Sequence, residues 1–183
     1  MAQSEPAAPR RIFLSYGHDE HAPLARRLKG DLEARGHDVW FDQERLHPGE
    51  DWEACIEQGL EWVAAGPNPG RVVLLMTPHA VRRPDGYCLN EIARAVSRSL
   101  DVVPVMVVWC EPPLSICRIQ WLDMRDCVPL DQHKARYETR LSQLAGALER
   151  DQLDFEGVQA NLQALLDRLP FEADLAKHLT KFT

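Results

Sequence analysis

Two stretches, Arg71-Val-Val-Leu-Leu-Met76 and Val102 to Val108, are apolar at nearly every position, without alternation. A strand wetted on one face alternates apolar with polar residues, so an unbroken apolar run of strand length is a strand covered on both faces. Helices must supply that cover, and helical stripes do stand between the runs. Ala25, Leu28 and Leu32 form one within 21–35, with Gly36 placed for a left-handed cap; Trp52, Ile56, Leu60 and Val63 form another behind the cap residue Asp51. Leu89, Ala93, Val96 and Leu100 form a third within Tyr87 to Leu100, after a loop predicted over Thr77 to Gly86. Further strands are predicted at Arg11 to Tyr16, at Asp38 to Asp42 and around Cys127 to Leu130, while Pro104 places the Val102 run near a strand start or an edge. Strands alternating with helices through short loops specify the α/β class, a parallel sheet flanked by helices.

Beyond the sheet, Tyr137, Leu141, Leu144 and Leu148 make one more stripe, and Val158, Leu162, Leu165 and Leu169 another. The expected organisation is a short disordered N-terminus (1–9), the α/β domain (10–132) and a C-terminal helical extension (133–183). Phe171 to Thr183 carries apolar residues and no stop signal, so a further domain is expected to follow.

The 183 residues are 45% hydrophobic and 27% charged, the composition of a folded globular chain, which excludes disorder as the main state. A net charge of −7 repels phosphate backbones and anionic lipid, so neither nucleic acid nor membrane is an expected partner. The apolar runs are far shorter than the roughly 20 residues of a membrane helix, and MAQSEPAAPR lacks the apolar centre of a secretory signal; a cytoplasmic address is expected. The five cysteines lack Cys-x-x-Cys spacing and are expected to be reduced and mostly buried. His18, His21 and His47 lack ligand spacing, so no metal is expected. Phosphate-loop, dinucleotide-fold, serine-elbow and zinc-protease motifs are all missing.

What is left is a set of polar and aromatic residues at strand ends, where open α/β sheets place their sites. Ile12-Phe-Leu-Ser-Tyr16, then Gly36-His-Asp-Val-Trp-Phe-Asp42 with Leu46-His-Pro-Gly49 and Trp52, then Tyr87-Cys-Leu-Asn-Glu91 resemble, in order, the boxes of TIR (Toll/interleukin-1 receptor) domains of bacterial type. The resemblance covers roughly residues 10 to 132. It implies a flavodoxin-like, five-stranded parallel sheet of order 2-1-3-4-5. It also implies one of two functions, because some TIR domains cleave NAD+ at the nicotinamide–ribose bond while others only assemble signalling complexes. The cleaving members use a glutamate early in the third helix, after an aromatic residue and a cysteine, and Glu91 behind Tyr87-Cys88 fills that pattern.

The expectation is therefore an NAD+ nucleosidase, hydrolase or cyclase, with Glu91 catalytic and NAD+ as substrate rather than cofactor. It would be activated by association with other TIR copies and serve as effector of an in-chain sensor in antiphage defence. The alternative is a non-catalytic TIR interaction module. Trp40 and Tyr87 are candidates to stack on the substrate's rings, or else core residues. Ser15, Tyr16 and Asp19 are candidates to bind ribose or phosphate, although Ser15 suits a backbone bond at the turn equally. Arg45 and Leu46-His-Pro-Gly49 match the family's BB loop, which meets a neighbouring copy and helps complete the pocket, and would otherwise be an ordinary turn. Arg82-Arg83 suits pyrophosphate or a solvated loop. Glu91 itself has a plain alternative, a solvated acid favoured by the helix dipole. A receiver domain would need acids at the end of the first strand for Mg2+, and Ile12-Phe-Leu-Ser-Tyr16 has none.

Overall fold

Apolar runs too long for one wet face are satisfied here by a sheet with helices on both sides. The computed structural model describes residues 9–41, 49, 51–66, 68, 70–82, 86 and 88–150. Five parallel strands, β1 (Arg11–Ser15), β2 (Asp38–Trp40), β3 (Arg71–Met76), β4 (Asp101–Met106) and β5 (Leu122–Asp123), lie in the order β2-β1-β3-β4-β5. The helices are α1 (Ala22–Glu33), α2 (Trp52–Ala64), α3 (Pro78–Val81), α4 (Leu89–Ser97) and α5 (Lys134–Glu149). The expected α/β architecture and strand order are both present.

Alternation along the strands divides the interior into two layers. Ile12 and Leu14 of β1 with Val73 and Leu75 of β3 face one layer, closed by α1 and α5; Phe13, Val72, Leu74 and Met76 face the other, closed by α2, α3 and α4. Leu24, Ala25, Leu28 and Leu32 are the buried face of α1, and each buried leucine is worth about 2 kcal/mol. That packing, rather than propensity, holds α1, which has no side-chain cap and carries Gly30 in its interior. Gly36 follows it at φ +91°, the left-handed turn predicted for it. Asp51 caps α2, its Oδ1 accepting from the N–H groups of Glu53 (2.8 Å) and Ala54 (3.4 Å).

Several boundaries differ from expectation. The fifth strand is two residues at Leu122–Asp123 rather than a run around Cys127 to Leu130, where a 3-10 turn (Arg125–Cys127) and Pro129 occupy the chain. Asp123 is fixed there by Arg125, whose Nε and Nη2 donate to its oxygens at 2.9 and 2.7 Å, holding its carboxyl down at about 2. This short strand also explains Pro104. β5 pairs only with Val105 and Met106, so at Pro104 the described neighbour of β4 lies on the β3 side alone. The helix expected over Tyr87 to Leu100 spans Leu89–Ser97, and the loop before it contains α3; its buried face is Glu91, Ile92 and Ala95 rather than the expected stripe, whose Ala93 and Val96 are exposed. The stripe Tyr137, Leu141, Leu144 and Leu148 is the buried face of α5, and the compact unit reaches Glu149, where Arg10 Nη2 donates to the backbone carbonyl at 3.1 Å. The second C-terminal stripe lies outside the described residues.

His37, in the turn before β2, is 4% exposed, and neither ring nitrogen has a hydrogen-bond partner among the described residues. Burial pushes its pKa below the ordinary 6.5; the Arg10 and Arg35 charges add to the effect, and Glu149 and Asp38 oppose it. Its contribution is therefore fully present above pH 6.5 and is lost as pH falls toward the folded value, because in that window the unfolded chain binds the extra proton. We expect thermal melts at pH 7.5 and 5.5 to differ more for the wild type than for His37→Gln. Equal pH dependence would remove His37 as the cause.

Candidate active site

The carboxyl ends of β1 and β3 meet in a small hydrogen-bonded knot. Past β1, Gly17 lies so close to α3 that a Cβ on it would sit 2.9 Å from the Cα and Cβ of Ala80. His18 takes a left-handed φ of +52° and turns its ring back onto Tyr16. Asp19 then uses both oxygens: Oδ1 accepts from the His21 N–H at 3.0 Å and Oδ2 from the Thr77 hydroxyl at 2.6 Å. The same Thr77 oxygen accepts from the Ala80 N–H at 3.1 Å and so caps α3. From α3 the chain of bonds continues, with the Cys88 N–H donating to the Ala80 carbonyl and the Ile92 N–H to the Cys88 carbonyl, both at 3.0 Å.

Glu91 stands in that first turn of α4 and is only 2% exposed. The solvated acid that a helix start ordinarily carries is not what the fold has made. Desolvating a carboxylate is costly, and the positive end of α4 offsets part of that cost. On the far side, α4 is tied to α2 by an ion-pair ladder: Arg94 reaches Glu53 and Glu57 at 3.4 Å each, and Arg98 pairs with Glu57 and, at 3.8 Å, with Glu61.

The aromatic candidates fall on different sides of the sheet. Trp40 ends β2 in the same layer as α4, 8% exposed, tilted against Trp62 with ring centroids 5.8 Å apart. Tyr16 lies in the opposite layer, stacked between His18 (4.4 Å) and Phe41 (5.2 Å). Ser15, flanked by Leu14 and Tyr16 of that opposite layer, falls by alternation on the side of Trp40 and Glu91; it is 2% exposed, with no partner for its Oγ among the described residues. Ser15, Trp40 and Glu91 thus share a face, Tyr16 does not, and Asp19 is engaged with Thr77. Arg45, Tyr87, Arg83 and most of the Leu46-His-Pro-Gly49 loop lie outside the described residues, except Gly49, which has φ +94°.

An open groove of about 640 Å3 borders α3, lined by Pro78, Val81, Arg82, Trp109, Glu111 and Leu114 among others. It contains none of the expected site residues apart from the exposed Arg82. Among the described residues, no group of three or more His, Cys, Asp or Glu is arranged to hold a metal ion, and no helix is long and apolar enough to cross a membrane.

Compared with known families, the sequence matches the TIR domain over residues 12–153. The chain belongs to the TIR-domain family. A curated relative, the NAD(+) hydrolase PdTIR of Paracoccus denitrificans (strain Pd 1222), is 35% identical over 54 residues, which is 30% of this chain and 18% of that protein. Among solved structures, the TIR domain of the Toll-related receptor TRR-2 from Hydra magnipapillata superposes with a TM-score of 0.52 at 16% identity, covering 72% of this chain and 97% of that one, and so shares the fold. Sequence reasoning missed Thr77 in this TIR domain. A threonine followed by proline after a buried strand is a helix-start signal, cap then first position, and would have found it.

Proposed function

We propose that this TIR domain cleaves NAD+ at the bond between nicotinamide and ribose, with Glu91 as its catalytic carboxylate. The burial of Glu91 at the carboxyl end of the sheet carries the reading; the partial likeness to a protein named as an NAD(+) hydrolase supports it. One carboxylate suffices because the leaving group is already cationic. The glycosidic C–N bond breaks with its electron pair going to the nicotinamide nitrogen, which departs neutral and needs no acid, unlike an ordinary glycosidic oxygen. Positive charge then grows on the ribose. A fixed carboxylate in a water-poor cleft stabilises that charge more than it stabilises the ground state. Water adds through its oxygen and releases a proton to give ADP-ribose, or an atom of the adenosine half closes a ring.

Activity depends, on this reading, on copies associating through the loop after β2, as effector of a larger sensor. The discriminating experiment is NAD+ turnover by concentrated or artificially clustered protein beside Glu91→Ala, with products identified by mass spectrometry. Turnover abolished by the substitution supports the reading, and equal turnover removes Glu91 from the mechanism. The competing reading, an interaction module alone, draws on the exposed Trp109 (61%) and Leu114 (71%), apolar surface of the kind that partners cover. It is favoured if clustered protein leaves NAD+ intact.

A further inference from the structure

We propose that Thr77 is a positioning residue for Glu91, its hydroxyl bracing the β1 turn and α3 together so that the first turn of α4 is held in place. The proposal rests on the NAD+ reading for its catalytic consequence. A hydroxyl is one donor and two acceptor sites, and Thr77 uses both kinds at once. It donates to Asp19 Oδ2 at 2.6 Å and accepts from the Ala80 N–H at 3.1 Å, from a position 3% exposed. Ala80 in turn takes the Cys88 N–H on its carbonyl, and Cys88 begins the turn that contains Glu91.

The packing runs parallel to the bonds. Ala80 is pressed against Gly17, where no Cβ fits, so α3 is seated on the β1 turn by contact as well as by hydrogen bond. With a helix of four residues, α3 lacks the length to hold itself and depends on this bracing. Arg94 and Arg98 fix the middle and far end of α4 to α2, while its amino end, the end with Glu91, adjoins the Thr77 side through the Cys88 N–H. A misplacement of about 1 Å at a reacting group costs up to roughly 100-fold in rate. A brace of this kind therefore acts on kcat more than on substrate binding.

The test compares wild type, Thr77→Val, Thr77→Ser, Asp19→Ala and the Thr77→Val/Asp19→Ala double variant as clustered full chains. Steady-state NAD+ turnover is measured, and amide exchange is followed over 78–97 in the same preparations. Thr77→Val is expected to lower kcat about 10- to 100-fold with KM within about 2-fold of wild type, and Thr77→Ser, which keeps both bonds, to restore it. Asp19→Ala, which leaves the cap intact and remains testable should Thr77→Val not fold, lowers kcat without raising KM, and the double variant is no slower than Thr77→Val alone. Exchange at the Cys88 and Ile92 amides is faster in Thr77→Val and unchanged in Thr77→Ser. Wild-type kcat and exchange in Thr77→Val overturns the proposal, as does a raised KM in Asp19→Ala, which would make Asp19 a substrate contact. Should clustered wild type leave NAD+ intact, the NAD+ reading is what fails. The exchange data then decide the brace, faster exchange at Cys88 upholding it and unchanged exchange refuting it.

Discussion

Glu91→Gln is expected to cut NAD+ turnover by about 100- to 1,000-fold, the cost of removing one preorganised group that stabilises transition-state charge. Glutamine has nearly the volume and shape of glutamate and still accepts a hydrogen bond through its amide oxygen. What it lacks is the negative charge, and that charge is needed only as the ribose becomes cationic. The loss therefore belongs in kcat, with KM nearly unmoved. Near-ultraviolet circular dichroism and a melting curve establish that the variant is folded, and initial rates on clustered protein give the comparison. Substantial turnover by Glu91→Gln would show that its charge is not used and would reduce this helix start to a structural feature.

The largest expected effect on stability is at Gly59, in the middle of α2. A Cβ there would lie 2.6 Å from Trp40 Nε1 and 2.7 Å from Phe13 Cε2. Helix propensity alone favours alanine over glycine by about 1 kcal/mol. Against that, both rings are buried, at 8% and 1% exposure, and each is anchored in a strand, so neither swings aside freely. Overpacking of such a site costs about 1–3 kcal/mol or more, and with both rings in the way the upper part of that range applies. We expect Gly59→Ala to destabilise by about 2 kcal/mol net, lowering the melting temperature by about 4–8 °C in a unit of this size. Gly30 is the control: it too is inside a helix, but nothing lies within 4 Å of its would-be Cβ, so Gly30→Ala should stabilise by about 0.5–1 kcal/mol. Urea melts with unchanged m-values measure both. If the two substitutions shift stability in the same direction, packing against Trp40 is not what keeps residue 59 a glycine.

How legible each element was depended on how many residues its physics engages. β3 was readable to the residue because six consecutive buried positions leave no other interpretation, and α5 because four apolar residues recur at helical spacing. Gly36 and Asp51 announced helix ends by their own backbone and side-chain chemistry. α3 and β5 were not legible in this way: four residues show no helical period and two show no strand period, and both elements exist because neighbours hold them. At the site, the Glu91 motif was visible in the sequence, but its burial was not, since burial depends on what packs around a residue rather than on the residue's own segment. The separation of Tyr16 from Ser15 was available in principle. Adjacent residues leaving a strand point to opposite faces, so a reading that assigns both to one ligand asks the backbone to do something it does not do.

The bond from the Arg10 guanidinium to the Glu149 carbonyl brings the chain's entry into this unit beside its exit. Ends that adjoin can be joined to one another, or to the two sides of a loop, by a short link, so this unit is expected to accept relocation of its termini without a strand of the sheet being stretched.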